Sequence, residues 1–182
     1  MLYQIVSFLF DVIVGLLGGA CLLRLYMQQQ RIPFGNPIGR LVFALTDWLV
    51  LPLRRIVPAA GRWDLASLVG AYLLVLLQYV LLWLLAGRGG GAALLPALAV
   101  FGLVRLVISG FTGLLLVYVI LSWVQAHSSL TDVLERLCAP PLRPIRRAIP
   151  LVGGIDLSPL VLLVILQVLA IVLGHLQAAL LA

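Results

Sequence analysis

Four long apolar runs alternate with two arginine-bearing polar segments along the chain. The first run, about residues 3–26, is long enough at about 1.5 Å per residue to cross a hydrocarbon core of about 30 Å. It ends in Gln28-Gln29-Gln30. The second covers about 65–86, with Trp63 and Trp83 near its ends, where amphipathic rings favour the headgroup level. The third, 92–124, would be a helix of about 50 Å if continuous, more than one crossing needs. Pro96, Gly102 and Gly110 are its candidate break points, which predicts an interfacial opening segment and then a span over about 103–124. The fourth opens with Pro159 in a first helical turn and runs to about 181.

Between the runs lie amphipathic stretches. Ile38, Leu41, Val42, Leu45, Trp48 and Leu49 follow helical spacing, while Arg40, Asp47 and Arg54 recur every seven residues on the other side. Farther on, Leu130, Val133, Leu134 and Leu137 form an apolar stripe with Asp132, Glu135 and Arg136 turned to water, and Pro140-Pro141 predicts its end. Both stretches read as interfacial helices that pack back onto the bundle and touch lipid headgroups.

The two polar segments repeat each other. Pro52, Arg54, Arg55, Pro58, Gly61, Asp64 and Leu65 return as Pro144, Arg146, Arg147, Pro150, Gly153, Asp156 and Leu157 at a constant offset of 92. Seven identities at one offset imply duplication. The predicted fold is an all-α integral membrane protein of four transmembrane helices. Residues 1–91 and 92–182 form two parallel two-helix repeats, each with an interfacial helix in its basic loop.

Composition agrees with lipid as the solvent: 64% of residues are hydrophobic and 10% charged, far from the balance of a water-soluble domain. All 12 basic residues are arginine. Their net excess over acids raises nucleic acid as a partner, but nine fall in the two polar segments, as the positive-inside bias places them. That distribution argues against nucleic acid. It predicts that both termini face away from the cytoplasm. Cys21 and Cys138 lie at different expected depths and form no disulfide framework. The first residues lack the positive region of a cleaved signal peptide, so the first run reads as a retained span.

One family shares the most specific of these motifs. Asn36-Pro37, Leu45-Thr46-Asp47, Pro52-Leu53-Arg54-Arg55-Ile56-Val57-Pro58, Leu121-Ser122-Trp123, Pro141-Leu142-Arg143-Pro144-Ile145-Arg146-Arg147 and Gly153-Gly154-Ile155-Asp156-Leu157-Ser158-Pro159 together resemble the YggT family over nearly the whole chain. The second copy follows the family pattern closely; the first departs at Arg62-Trp63 and Ala66-Ser67. The resemblance implies a small bacterial inner-membrane protein related to the YlmG proteins and to a plastid factor for haem attachment to cytochrome b. It links the chain to osmotic stress and potassium handling, envelope or nucleoid organisation, and haem-protein assembly. It brings no reaction.

The residues narrow that range. Proline before and after each Arg-Arg pair predicts a rigid interfacial turn that presents two guanidinium groups. Arg54, Arg55, Arg146 and Arg147 could close a local clamp on Asp64 and Asp156, grip lipid phosphate, or hold a protein partner. Arg24 is placed to snorkel to the interface. Asp11 lies 16 residues before Met27, and Arg105 lies 17 before Ser122. At equal depth they could pair across spans one and three, or both could sit in water near the outer interface. Gly15, Gly18, Gly19, Ser109 and Gly113 offer spacing for close helix contact. His127 and His175 fall near opposite faces and cannot share one iron, and no haem-attachment motif is present. No cofactor, metal set or catalytic constellation is expected, so the chain reads as non-enzymatic. Its expected partners are membrane lipids, other membrane proteins and a possible homo-oligomer. A scaffold or assembly factor is the first reading, and osmotic-stress-linked ion transport the second.

Overall fold

The computed structural model describes residues 1–58, 61, 63–87, 91–123, 129–148 and 156–181. Arg62, Arg88, His127 and Gly153 lie outside the described residues. The helices are α1 (Leu2–Gln29), α2 (Pro37–Ile56), α3 (Leu65–Leu85), α4 (Leu95–Trp123), α5 (Ser129–Ala148) and α6 (Ser158–Leu181), with a 3₁₀ turn at Ala92–Leu94. Segments Tyr3–Gln29, Leu65–Leu85, Ala92–Ser122 and Ser158–Leu180 are long and apolar enough to cross a membrane. The chain is thus an all-α integral membrane protein.

Local chemistry sets the helix starts. Asn36 caps α2 by accepting from the Gly39 amide at 2.9 Å, with Pro37 at the first position, where its missing N–H costs nothing. Asp64 caps α3, its carboxylate accepting from Ser67. α1 closes with Arg31 in the left-handed region at φ 56°, and the Ile32 amide donates to the Met27 carbonyl at 3.0 Å.

The repeat is visible in the element bounds. Moving α2 by 92 residues gives 129–148, the bounds of α5. Within the first half α1 packs on α2 and α3; within the second, α4 packs on α5 and α6. The halves meet chiefly where α4 lies against α3 and α1. Three apolar clusters hold this arrangement. One joins α1, α2, α3 and α4 around Cys21, Val50 and Val75. A second joins α1, α2 and α5 around Met27, Val42 and Leu137, and a third joins α4, α5 and α6 around Leu115, Leu142 and Leu162.

Two expectations about helix breaks are corrected. α4 runs through Gly102 and Gly110 without interruption for 29 residues, and Pro96 sits harmlessly in its first turn. Gly102 serves packing: a Cβ there would lie 2.7 Å from Val75 Cγ1 and 2.8 Å from Tyr79 Cε2, so the glycine admits α3 at close range. At about 1.5 Å per residue such a helix exceeds the hydrocarbon core and must tilt or protrude. α5, likewise, does not stop at Pro140-Pro141; Pro140, Pro141 and Pro144 all lie inside it. Buried Leu134, Leu137, Cys138 and Leu142 hold its inner face, and tertiary packing overrides the local penalty of proline. The Arg-Arg pairs consequently sit in the last helical turns of α2 and α5, not on separate turns.

Candidate functional site

Arg24 and Asp64 form the centre of a buried ionic hub in the first half. Arg24 is 2% exposed and Asp64 is fully buried. Arg24 Nη1 donates to Thr46 Oγ1 at 2.8 Å and to Asp47 Oδ1 at 2.7 Å, both on α2. Its Nε lies 3.6 Å from Asp64 Oδ2, and its guanidinium carbon stands 4.6 Å from the centre of the Phe43 ring. Asp64 Oδ2 also accepts from Arg54 Nη2 at 2.5 Å and from Ser67 Oγ at 2.8 Å. Two cations and two anions therefore balance at the junction of α1, α2 and α3. Arg24 does not snorkel. Folded over the end of α1, α2 covers the guanidinium and supplies two acceptors to Nη1, while Nε makes no hydrogen bond and faces Asp64 at ion-pair distance.

The second half carries a leaner form. Arg146 Nε donates to Asp156 Oδ2 at 2.8 Å, with side chains 36% and 32% exposed. Arg146 Nη2 donates to Tyr118 Oη at 3.1 Å. At the positions matching Arg24, Thr46, Asp47 and Ser67 stand Leu116, Cys138, Ala139 and Pro159. The hub belongs to one half only. Arg55 and Arg147 are exposed, and neither joins an ion pair among the described residues.

Tyr26 and Tyr118 occupy matching positions but do different work. Tyr26 Oη donates to the Leu137 carbonyl at 2.9 Å. That carbonyl is the one orphaned by Pro141, which has no N–H to offer it. Tyr26 thus ties α1 of the first half to α5 of the second while satisfying a broken helix. Changing Tyr26 to Phe should destabilise the protein by about 1–3 kcal/mol, since a buried carbonyl loses its donor. Thermal unfolding in mild detergent checks this, with Tyr118→Phe expected to cost less because its partner Arg146 keeps Asp156.

Asp11 and Arg105 are not brought together. Asp11 Oδ1 accepts from Gln78 Nε2 on α3 at 2.6 Å, and Arg105 is exposed on α4. The register explains it. α1 and α4 meet where a Cβ on Gly18 would lie 2.8 Å from Leu106, which sets Asp11 about 9 Å along the axis from Arg105 at about 1.5 Å per residue. Met27 falls near Leu114, with which it shares a cluster, not near Ser122.

Beside the hub, an apolar cleft of about 440 Å³ lies between α1 and α4, roofed by α2 and touched by α5. Leu41, Leu45, Leu106, Leu114 and Leu134 line it together with Gly15, Gly19, Gly110 and Gly113. Gly18 makes the close helix contact expected of the small residues, but Gly15, Gly19 and Gly113 face open space. Among the described residues no cluster of three or more His, Cys, Asp or Glu could hold a metal ion. His175 Nδ1 lies 2.9 Å from the Ile171 carbonyl of its own helix. Burial pushes the Cys138 thiol up to about 11 against the lowering charge of Arg146, so it stays protonated near neutral pH.

The family model described as CCB3/YggT matches residues 2–85 and 97–177. The chain belongs to the CCB3/YggT family. Each matched segment covers one helical triplet, α1–α3 or α4–α6. Protein YggT of Escherichia coli K12 is 38% identical over 168 residues, covering 89% of this chain and 85% of that protein. A Vibrio alginolyticus protein from the proC 3′ region is 38% identical over 164 residues, 88% of this chain and 89% of its own. A Pseudomonas aeruginosa relative is 35% identical over 143 residues, 76% and 73% of the two chains. No solved structure matches the chain.

In this CCB3/YggT chain, each Arg-Arg segment supplies one arginine to the aspartate at the start of the next span, and the buried hub lies in the first half. Electrostatics follow burial. Desolvation pushes the Asp64 carboxyl up, but hydrogen bonds from Arg54 and Ser67 outweigh it and hold the group below the usual carboxylate range. Asp156 is lowered in the same way by Ser158 and Arg146 against its smaller desolvation. A carboxyl whose folded value is depressed adds stability that is present above its unfolded value and disappears as pH falls through the folded value. The melting temperature should therefore hold steady from neutral pH down to about 5 and drop below about 4. Asp64→Asn should flatten the acid limb more than Asp156→Asn.

Proposed function

We propose that the chain is a non-enzymatic scaffold or assembly factor of the bacterial inner membrane, with both termini periplasmic and the α2/α5 side cytoplasmic. The observation that carries this reading is the character of the space between the halves. The cleft beside the hub is lined mainly by apolar side chains and glycines, with Tyr26, Gln29 and Ser109 as its polar members and no acidic side chain, chemistry that suits an apolar segment better than an ion path. The charges buried nearby are already matched to one another within the hub. What remains available on the basic side is a rigid frame bearing exposed Arg55 and Arg147, which suits headgroups and acidic protein surfaces.

Osmotic-stress-linked ion transport is the second reading, favoured by polar Asp11 and Gln78 between α1 and α3 and by Arg105 on α4. One preparation separates the two. Crosslinking in intact cells followed by purification and partner identification should return specific membrane proteins, and liposomes of the purified chain should show no selective flux. Selective flux abolished by Asp11→Asn or Arg105→Gln would overturn the scaffold reading.

A further inference from the structure

α6 is the span least covered by its own chain, its principal neighbours being α4 and α5. Its packed face carries Leu162, Leu163 and Leu166. On one flank of that face, Leu160, Val164, Gln167, Ile171, Gly174 and Ala178 follow one another at alternating steps of four and three, and all six are exposed. This is heptad spacing, the seam of left-handed knobs-into-holes packing between helices. Its outer end is lined by small residues that let backbones approach.

Gln167 sits at the centre of the seam. It is nine residues from the start of α6, about 14 Å at 1.5 Å per residue, which is near the middle of a hydrocarbon core of about 30 Å. Its side-chain amide has two donors and an acceptor, and among the described residues it makes no hydrogen bond. Such a group turned to lipid is costly. Gln78 shows the contrast: its amide has a partner inside the chain, Asp11 on α1.

We propose that α6 is a homodimer seam, two copies of this chain packing along Leu160, Val164, Gln167, Ile171, Gly174 and Ala178 with the two Gln167 amides bonded to each other. The amide selects the occupant. A two-fold axis along the membrane normal brings a residue against its own copy at the same depth. A carboxamide is complementary to itself, donating through its nitrogen and accepting through its oxygen. A single polar residue at a seam position also fixes register and partner number, as it does in coiled coils. The inference is independent of the scaffold reading, since a transporter could use the same seam.

Full-length protein labelled separately with donor and acceptor at the N-terminus, reconstituted in mixed phosphatidylethanolamine and phosphatidylglycerol vesicles, tests it by energy transfer against protein-to-lipid ratio. The wild type should associate. Gln167→Leu, which places an apolar residue where lipid can cover it and should leave the melting temperature unchanged, is expected to weaken association about three- to twentyfold. Gln167→Asn should stay close to wild type, Gly174→Leu should weaken association by crowding the seam, and Leu169→Ala on the opposite flank should have no effect. A wild type that remains monomeric, whether or not another protein binds it, overturns the proposal. So does a Gln167→Leu variant that associates as tightly as wild type.

Discussion

Replacing Arg24 with methionine is expected to destabilise the protein by about 3–5 kcal/mol, the cost of removing one partner from a buried ion pair. Methionine keeps much of the apolar stem, so the loss comes from the charge. Asp64, with no exposed surface, would then keep Arg54 as its one cation beside the hydrogen bonds from Ser67, and Thr46 would lose the guanidinium that donates to it. Asp47, with a side chain 42% exposed, can turn to water and contributes little. The substitution should lower both the melting temperature in mild detergent and the amount of protein accumulating in the membrane. Arg55→Met, at an exposed position in the last turn of α2, should stay within about 0.5 kcal/mol of wild type.

Removing the two repeated aspartates should have unequal effects. Asp64→Ala leaves buried Arg24 with the part-exposed Asp47 as its one anion, leaves Arg54 without its partner, and removes the cap from α3; about 3–5 kcal/mol is expected. Asp156→Ala breaks a half-exposed pair whose arginine still donates to Tyr118, and about 1 kcal/mol is expected. Side-by-side unfolding of the two variants checks the ordering. Equal losses would mean that the two copies carry equal loads, against the geometry of the hub.

The repeat made part of this arrangement legible in the sequence. Four spans, two amphipathic helices and the closeness of Arg54 to Asp64 and of Arg146 to Asp156 all follow from periodicity and from spacing within one segment. Arg24 was not legible as a hub residue, because its acceptors come from α2 and from the start of α3. A charge three residues from the end of an apolar run ordinarily reaches water. The one available signal was Asp47 beside Thr46 on an otherwise apolar-faced helix. Similar distances from the helix ends do not place Asp11 and Arg105 at one depth, because α4 extends well past the level at which α1 ends. The prolines of α5 read locally as a stop because nothing nearby reveals that Tyr26, 111 residues away, supplies the donor to Leu137.

A double-mutant cycle on Arg24 and Asp64 tests the hub most directly. Arg24→Met and Asp64→Asn, alone and together, should give a double variant losing less than the sum of the singles, with a coupling of about 0.5–3 kcal/mol. Losses that simply add, within about 0.5 kcal/mol, would mean that these two side chains do not hold α1 to the start of α3, and the hub would not be what fixes the frame.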